Sequence, residues 1–107
     1  MQLPCRFDDP ENVVSIADRA FSSCSMLTSI AIPSSVTNIG MGAFSYCSSL
    51  RDITIPDRVT QLGEKAFWFC KSLTSATIGS GVTRIRSFTF EYCSSLTNIT
   101  MPDSVAS

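Results

Sequence analysis

The chain has 107 residues, 44% of them hydrophobic and 16% charged, which suits one domain with a buried core and a weakly charged surface. Its 8 basic and 9 acidic residues leave a formal charge of −1, so there is neither a basic footprint for nucleic acid nor a polybasic patch for membranes. Histidine is absent, which removes Ser-His-Asp and Cys-His catalysis and the commonest metal ligand.

The first stretch, "MQLPCRFDDPEN", has no basic segment followed by an apolar one, so it is not read as a signal peptide. Leu3-Pro4-Cys5 has no apolar run before it and is not read as a lipid-attachment site. No run reaches the roughly 18 apolar residues that cross a bilayer, and no membrane insertion is expected. Pro10-Glu11-Asn12-Val13 aligns with Pro33-Ser34-Ser35-Val36, so residues 1–12 are read as a degraded half-coil.

From Val13 onward the chain repeats. Val13, Val36, Val59, Val82 and Val105 keep one interval, as do Phe21, Phe44, Phe67 and Phe90, and Leu27, Leu50, Leu73 and Leu96. Cys24, Cys47, Cys70 and Cys93 keep the same interval of 23 residues. A residue that recurs in step with a structural period is there for the structure. Four units are expected, 13–35, 36–58, 59–81 and 82–104, with 105–107 opening a fifth.

Within a unit, Val36-Thr37-Asn38-Ile39 reads as a short extended piece with Val36 and Ile39 inward. Gly40 and Gly63 are expected to supply a positive φ at the next corner. Ala43, Phe44 and Cys47 fall at i, i+1 and i+4, which predicts one short helical turn with its apolar side down. Leu50 to Ile55 then alternates apolar with polar, the period of a strand with one buried face. Parallel strands are expected to centre on residues 28–32, 51–55, 74–78 and 97–101. Pro33, Pro56 and Pro102 close three of them, and Gly79-Ser80-Gly81 closes the remaining one. In the fourth unit Arg86, Phe88 and Thr89 stand where Gly40, Gly42 and Ala43 stand in the second, so an irregular corner is expected there.

One unit cannot bury its own apolar side, whereas stacked units bury it against their neighbours at roughly 4.7–4.9 Å per coil. The signature "VTNIGMGAFSYCSSLRDITIP" resembles the leucine-rich repeats of the BspA-like type, and the resemblance covers residues 13 to 105. It implies an α/β repeat solenoid: a right-handed leucine-rich-repeat-like coil with a parallel β-sheet on the concave face and short helical turns opposite. It also implies roles in adhesion and protein recognition, although a fold does not settle a function.

The outward strand positions form the first candidate surface: Ser29 and Ala31, then Asp52, Thr54, Ser75, Thr77, Asn98 and Thr100. Parallel strands place them in adjacent columns on the concave sheet, and solenoids use that extended face for binding. The bland alternative is an ordinary solvated face. The second candidate surface is Tyr46, Trp68, Phe69 and Tyr92, since exposed aromatics are enriched in binding hot spots. Its bland alternative is that the rings pack on one another.

The phenylalanines and the repeat cysteines are read as core, the cysteines as thiols with no metal or redox role. Cys5, outside the repeat, is expected to be the reactive thiol. Asn98-Ile99-Thr100 fits a glycosylation acceptor but falls in a strand, so it is read as coincidence. No catalytic residues are assigned, because Asp52, Asp57 and Glu64 form no facing pair and Gly40-Met41-Gly42 lacks the lysine of a phosphate loop. No cofactor and no metal are expected.

These readings predict a non-enzymatic, adhesion-like module that binds a protein or glycan partner through the concave sheet. The alternative is a structural spacer of a larger repeat protein with no ligand of its own. End-to-end self-association through uncapped coils is a further expectation. A fragment of an exported parent would sit at the cell surface or be secreted, and otherwise the chain would be cytoplasmic.

Overall fold

The computed structural model describes residues 12–85 and 88–102. Cys5, Arg86, Val105, most of the expected half-coil and the expected start of a fifth unit lie outside the described residues. Among the described residues two sheets run along the stack. β1 (Ser15–Ile16), β2 (Asn38–Ile39) and β4 (Gln61–Leu62) form one, in the order β1-β2-β4. β3 (Asp52–Thr54), β5 (Ser75–Thr77) and β6 (Asn98–Thr100) form the other, in the order β3-β5-β6. Every pairing is parallel, and Ser15↔Asn38↔Gln61 and Asp52↔Ser75↔Asn98 give the registers. The sequence period is therefore the register of the ladder.

Alternation decides which side chains go inside. Ile53 and Ala76 are buried in their strands, as are Ile55 and Ile78 just after them. Val36, Val59 and Val82 join the same core. Within it the phenylalanines stack flat. Phe21–Phe44, Phe44–Phe67 and Phe67–Phe90 have ring centroids 5.2, 5.3 and 5.5 Å apart and interplanar angles of 2°, 6° and 6°. Burying one such ring contributes about 1.5–3 kcal/mol. In and just after β6 the equivalents of Ile53 and Ile55 are open, with Ile99 40% and Met101 44% exposed.

The expected strand at 28–32 does not form, although Arg51 N–H still donates to Thr28 O at 3.0 Å. Ala31 stands where Thr54, Thr77 and Thr100 stand in the other units, and alanine is depleted in strands where threonine is enriched.

The expected helical turn is also absent: among the described residues, 41–46 are turns rather than helix. Backbone hydrogen bonds explain why. Ala43, Ser45 and Cys47 N–H donate three residues back, to Gly40, Gly42 and Phe44 O. The N–H groups between them donate forward to the next unit: Gly42 to Glu64 O, Phe44 to Ala66 O and Tyr46 to Trp68 O, at 2.9, 2.8 and 2.7 Å. A helix would send every N–H back along its own chain. Here every second one tethers a neighbouring unit.

That alternation needs a left-handed residue at the third place of successive turns. Arg19, Gly42, Lys65 and Phe88 fill one such place, with φ of 60°, 62°, 58° and 61°. Ser23, Tyr46, Phe69 and Tyr92 fill the other, at 64°, 60°, 60° and 63°. The positive φ thus belongs to Gly42, while Gly40 and Gly63 do not have it. Those two are glycine because units approach closely there. A Cβ on Gly63 would lie 2.6 Å from Gly40 C and Met41 N, and one on Gly40 would lie 2.6 Å from Asp18 N.

Candidate recognition surface

β3, β5 and β6 carry all six residues of the first candidate surface. Their register aligns Asp52, Ser75 and Asn98 in one column and Thr54, Thr77 and Thr100 in the next. Alternation turns these side chains away from the core, and all are exposed except Ser75, which is half-buried. They differ from the threonines that precede the strands. Thr74 and Thr97 hydroxyls donate to Arg51 O at 3.0 Å and Thr74 O at 3.3 Å, so they are committed to stacking. Among the described residues, none of the six column side chains is held in such a bond. Ser29 and Ala31 are exposed as well, but on a segment without strand structure.

The second candidate surface comes together as one cluster. Tyr46 stacks on Phe69 at 5.1 Å and 6°, and Phe69 stacks on Tyr92 at 4.4 Å and 19°. Trp68 meets all three edge-on, at 5.2, 4.7 and 6.1 Å. Its indole Nε1–H donates to Glu91 Oε1 at 2.9 Å, and Lys65 Nζ lies 4.9 Å from the ring centroid. The rings thus spend their faces on each other. Tyr46 and Tyr92 still leave 44% and 56% of their surface open.

The cysteine column is structural where it is free. Cys47, Cys70 and Cys93 thiols donate to Phe21, Phe44 and Phe67 O at 3.2, 3.2 and 3.1 Å. Burial pushes the Cys47 thiol up from its ordinary 9.0 to about 11. Contact with Cys70, the largest influence on Cys93, lowers the latter's pKa. Cys24 departs from the expected row of thiols, because it is disulfide-bonded. Its neighbour in the column, Cys47, is free.

Sequence reasoning missed Trp68–Glu91 and a second kind of tether, in which Asp18 Oδ1 accepts from Met41 N–H and Asp57 Oδ1 from Ser80 N–H, at 2.8 and 2.9 Å. The signal was present as breaks in the period, since Asp18 is followed by Met41 and then Glu64 at the same place. Among the described residues there is no group of three metal-ligating side chains, and no helix is long and apolar enough to cross a membrane.

Parallel two- and three-residue strands at a 23-residue register, with turns tethered between units, define a leucine-rich-repeat type of stack. The chain belongs to the family described as BspA type Leucine rich repeat region (6 copies), which matches residues 6–107. It is similar to a leucine-rich repeat protein of T. pallidum, with 34% identity and a TM-score of 0.85 over 88% of this chain and 44% of that one. It is also similar to a leucine rich cell surface protein from Faecalibacterium prausnitzii, with 29% identity and a TM-score of 0.71 over 92% of this chain and 34% of that one. The chain therefore spans less than half the length of either. No curated protein matches it significantly.

Proposed function

We propose that the chain is a non-enzymatic recognition module that binds a protein or glycan partner through the outward columns of the β3-β5-β6 sheet. The observation that carries this reading is the pair of uncommitted columns, Asp52–Ser75–Asn98 and Thr54–Thr77–Thr100. Backbone pairing fixes their spacing, so little ordering entropy is lost when a partner docks. Small side chains let that partner approach the sheet. The aromatic cluster ranks second because its rings already have a structural use.

In this reading the coil is a right-handed solenoid of four units, 13–35, 36–58, 59–81 and 82–104, with the β3-β5-β6 sheet concave. The role is adhesion-like and the site of action is the cell surface, in keeping with the neighbour described as a cell surface protein. The open Ile99 and Met101 beside β6 support end-to-end self-association. A second reading is a spacer without a ligand of its own, in keeping with the aromatic rings and the threonines before the strands, which are already committed to stacking between units.

Glycan arrays and pull-downs with the unaltered chain, Asp52→Ala and Thr77→Ala separate the two. A partner captured by the unaltered chain and lost with both variants supports the binder. Capture of nothing, or capture indifferent to both substitutions, leaves the spacer.

A further inference from the structure

A shallow groove of about 240 Å³ lies beside β2 and β4, lined by Asp18, Asn38, Met41, Gln61, Glu64 and the backbone of Gly40 and Gly63. It is on the β1-β2-β4 side of the stack, away from the sheet columns. Its chemistry comes from a broken repeat. At the first step of the stack Asp18 Oδ1 accepts from Met41 N–H at 2.8 Å. At the second step the acceptor's place is taken by Met41, whose side chain offers no carboxylate, and the donor's place by Glu64. Among the described residues the Glu64 N–H has no acceptor. Gly63 N–H donates to Ile39 O at 2.8 Å and Gly42 N–H to the Glu64 carbonyl at 2.9 Å, so the backbone on either side of the Glu64 N–H is held in place.

Around that donor stand two carboxylates, Asp18 and Glu64, and two side-chain amides, Asn38 and Gln61. Asp18 and Glu64 are two units apart, roughly 10 Å at the usual strand spacing. Met41 is 42% exposed between them and offers an apolar contact. An anion would meet two carboxylates. A metal cation would find the two carboxylates too far apart to share it, and among the described residues no group of three metal-ligating side chains stands together. A neutral ligand rich in hydroxyls satisfies both sets, because each hydroxyl donates to a carboxylate and accepts from an amide. The volume is below the roughly 300 Å³ at which drug-sized sites begin, which fits a single small ring.

We infer that this groove binds one neutral sugar ring of a glycan, with Glu64 N–H, Asn38 and Gln61 donating to its oxygens and Asp18 and Glu64 accepting from its hydroxyls. The site is separate from the sheet columns and stands whether or not they bind a partner.

The test titrates ¹⁵N-labelled chain with methyl glycosides of glucose, mannose, galactose and N-acetylglucosamine, and with methylammonium and acetate as charged controls. The expected result is a saturable shift of the Glu64 amide and of the Asn38 and Gln61 side-chain amides with at least one glycoside. Met41→Asp restores the missing acceptor, copies the Asp18 arrangement, and is expected to weaken that binding at least about ten-fold while leaving the other amide positions unchanged. Three results overturn the inference: no glycoside shifts these amides, a charged control shifts them instead, or Met41→Asp in a folded chain binds the glycoside as before. Asp52→Ala and Thr77→Ala are expected to leave these shifts unaltered, so failure here is distinguishable from failure of the sheet columns.

Discussion

The Phe44 ring lies flat against that of Phe67, centroids 5.3 Å apart and planes 6° from parallel, and both rings are fully buried. The contact spans two units, so each ring is part of its neighbour's core. Phe67→Ala removes contacts on both sides, with Phe44 and with Phe90. It is expected to destabilise the chain by about 3–5 kcal/mol, the usual cost of emptying an aromatic core site. Urea unfolding followed by circular dichroism measures it.

Backbone conformation supplies the second prediction. Gly63→Ala drives a Cβ to 2.6 Å from backbone atoms of Gly40 and Met41, which cannot move aside as a side-chain tip would. Gly42→Ala meets its nearest neighbour, Arg19 Cγ, at 3.4 Å and pays mainly for its φ of +62°. That cost is about 1–2 kcal/mol. The ranking Gly63→Ala worse than Gly42→Ala is expected in thermal melts. The reverse order would place the tight approach at the wrong glycine.

The repeat made much of this legible beforehand. A fixed interval of valine, phenylalanine, cysteine and leucine is enough to give parallel stacking, and Ile53 and Asp52 fall on opposite faces because strands alternate. The helical turn was misread for a definite reason. Ala43, Phe44 and Cys47 have helical spacing, but Tyr46 at φ 60° reverses the chain, and an aromatic residue gives no sequence sign of a left-handed conformation. Gly40 and Gly63 were misassigned because glycine serves both positive φ and close approach, and only coordinates tell these apart. The cysteines look equivalent in sequence, yet Cys24 is disulfide-bonded while Cys47 is free, which a period cannot show. The six column residues were assembled as expected, but register alone says nothing about what they bind.

Thiol chemistry gives a third prediction. Cys47 is buried and its pKa is raised to about 11, so it is expected to resist labelling in the native chain. Cys93 is half-buried and its pKa is lowered, so among the free thiols of the described residues it should label before Cys47 and Cys70. Peptide mass mapping after brief alkylation reads the order. Cys47→Ala is expected to cost about 1 kcal/mol, a typical value for a point substitution.

The same shift sets a pH dependence. An unfolded Cys47 ionises near 9.0 and the folded one near 11, so between those values the unfolded chain binds fewer protons. Stability contributed by Cys47 is complete below pH 9 and falls as pH rises toward 11. Cys47→Ala should flatten part of that fall in urea midpoints measured across the range.

Recognition through the sheet columns is tested most directly by hydrogen–deuterium exchange on the chain with a captured partner bound. The account predicts new protection in the segments of β3, β5 and β6, with the largest loss of affinity from Asp52→Ala and Thr77→Ala. Protection confined to the segments carrying Tyr46, Trp68 and Tyr92 would contradict it and give the binding role to the aromatic cluster.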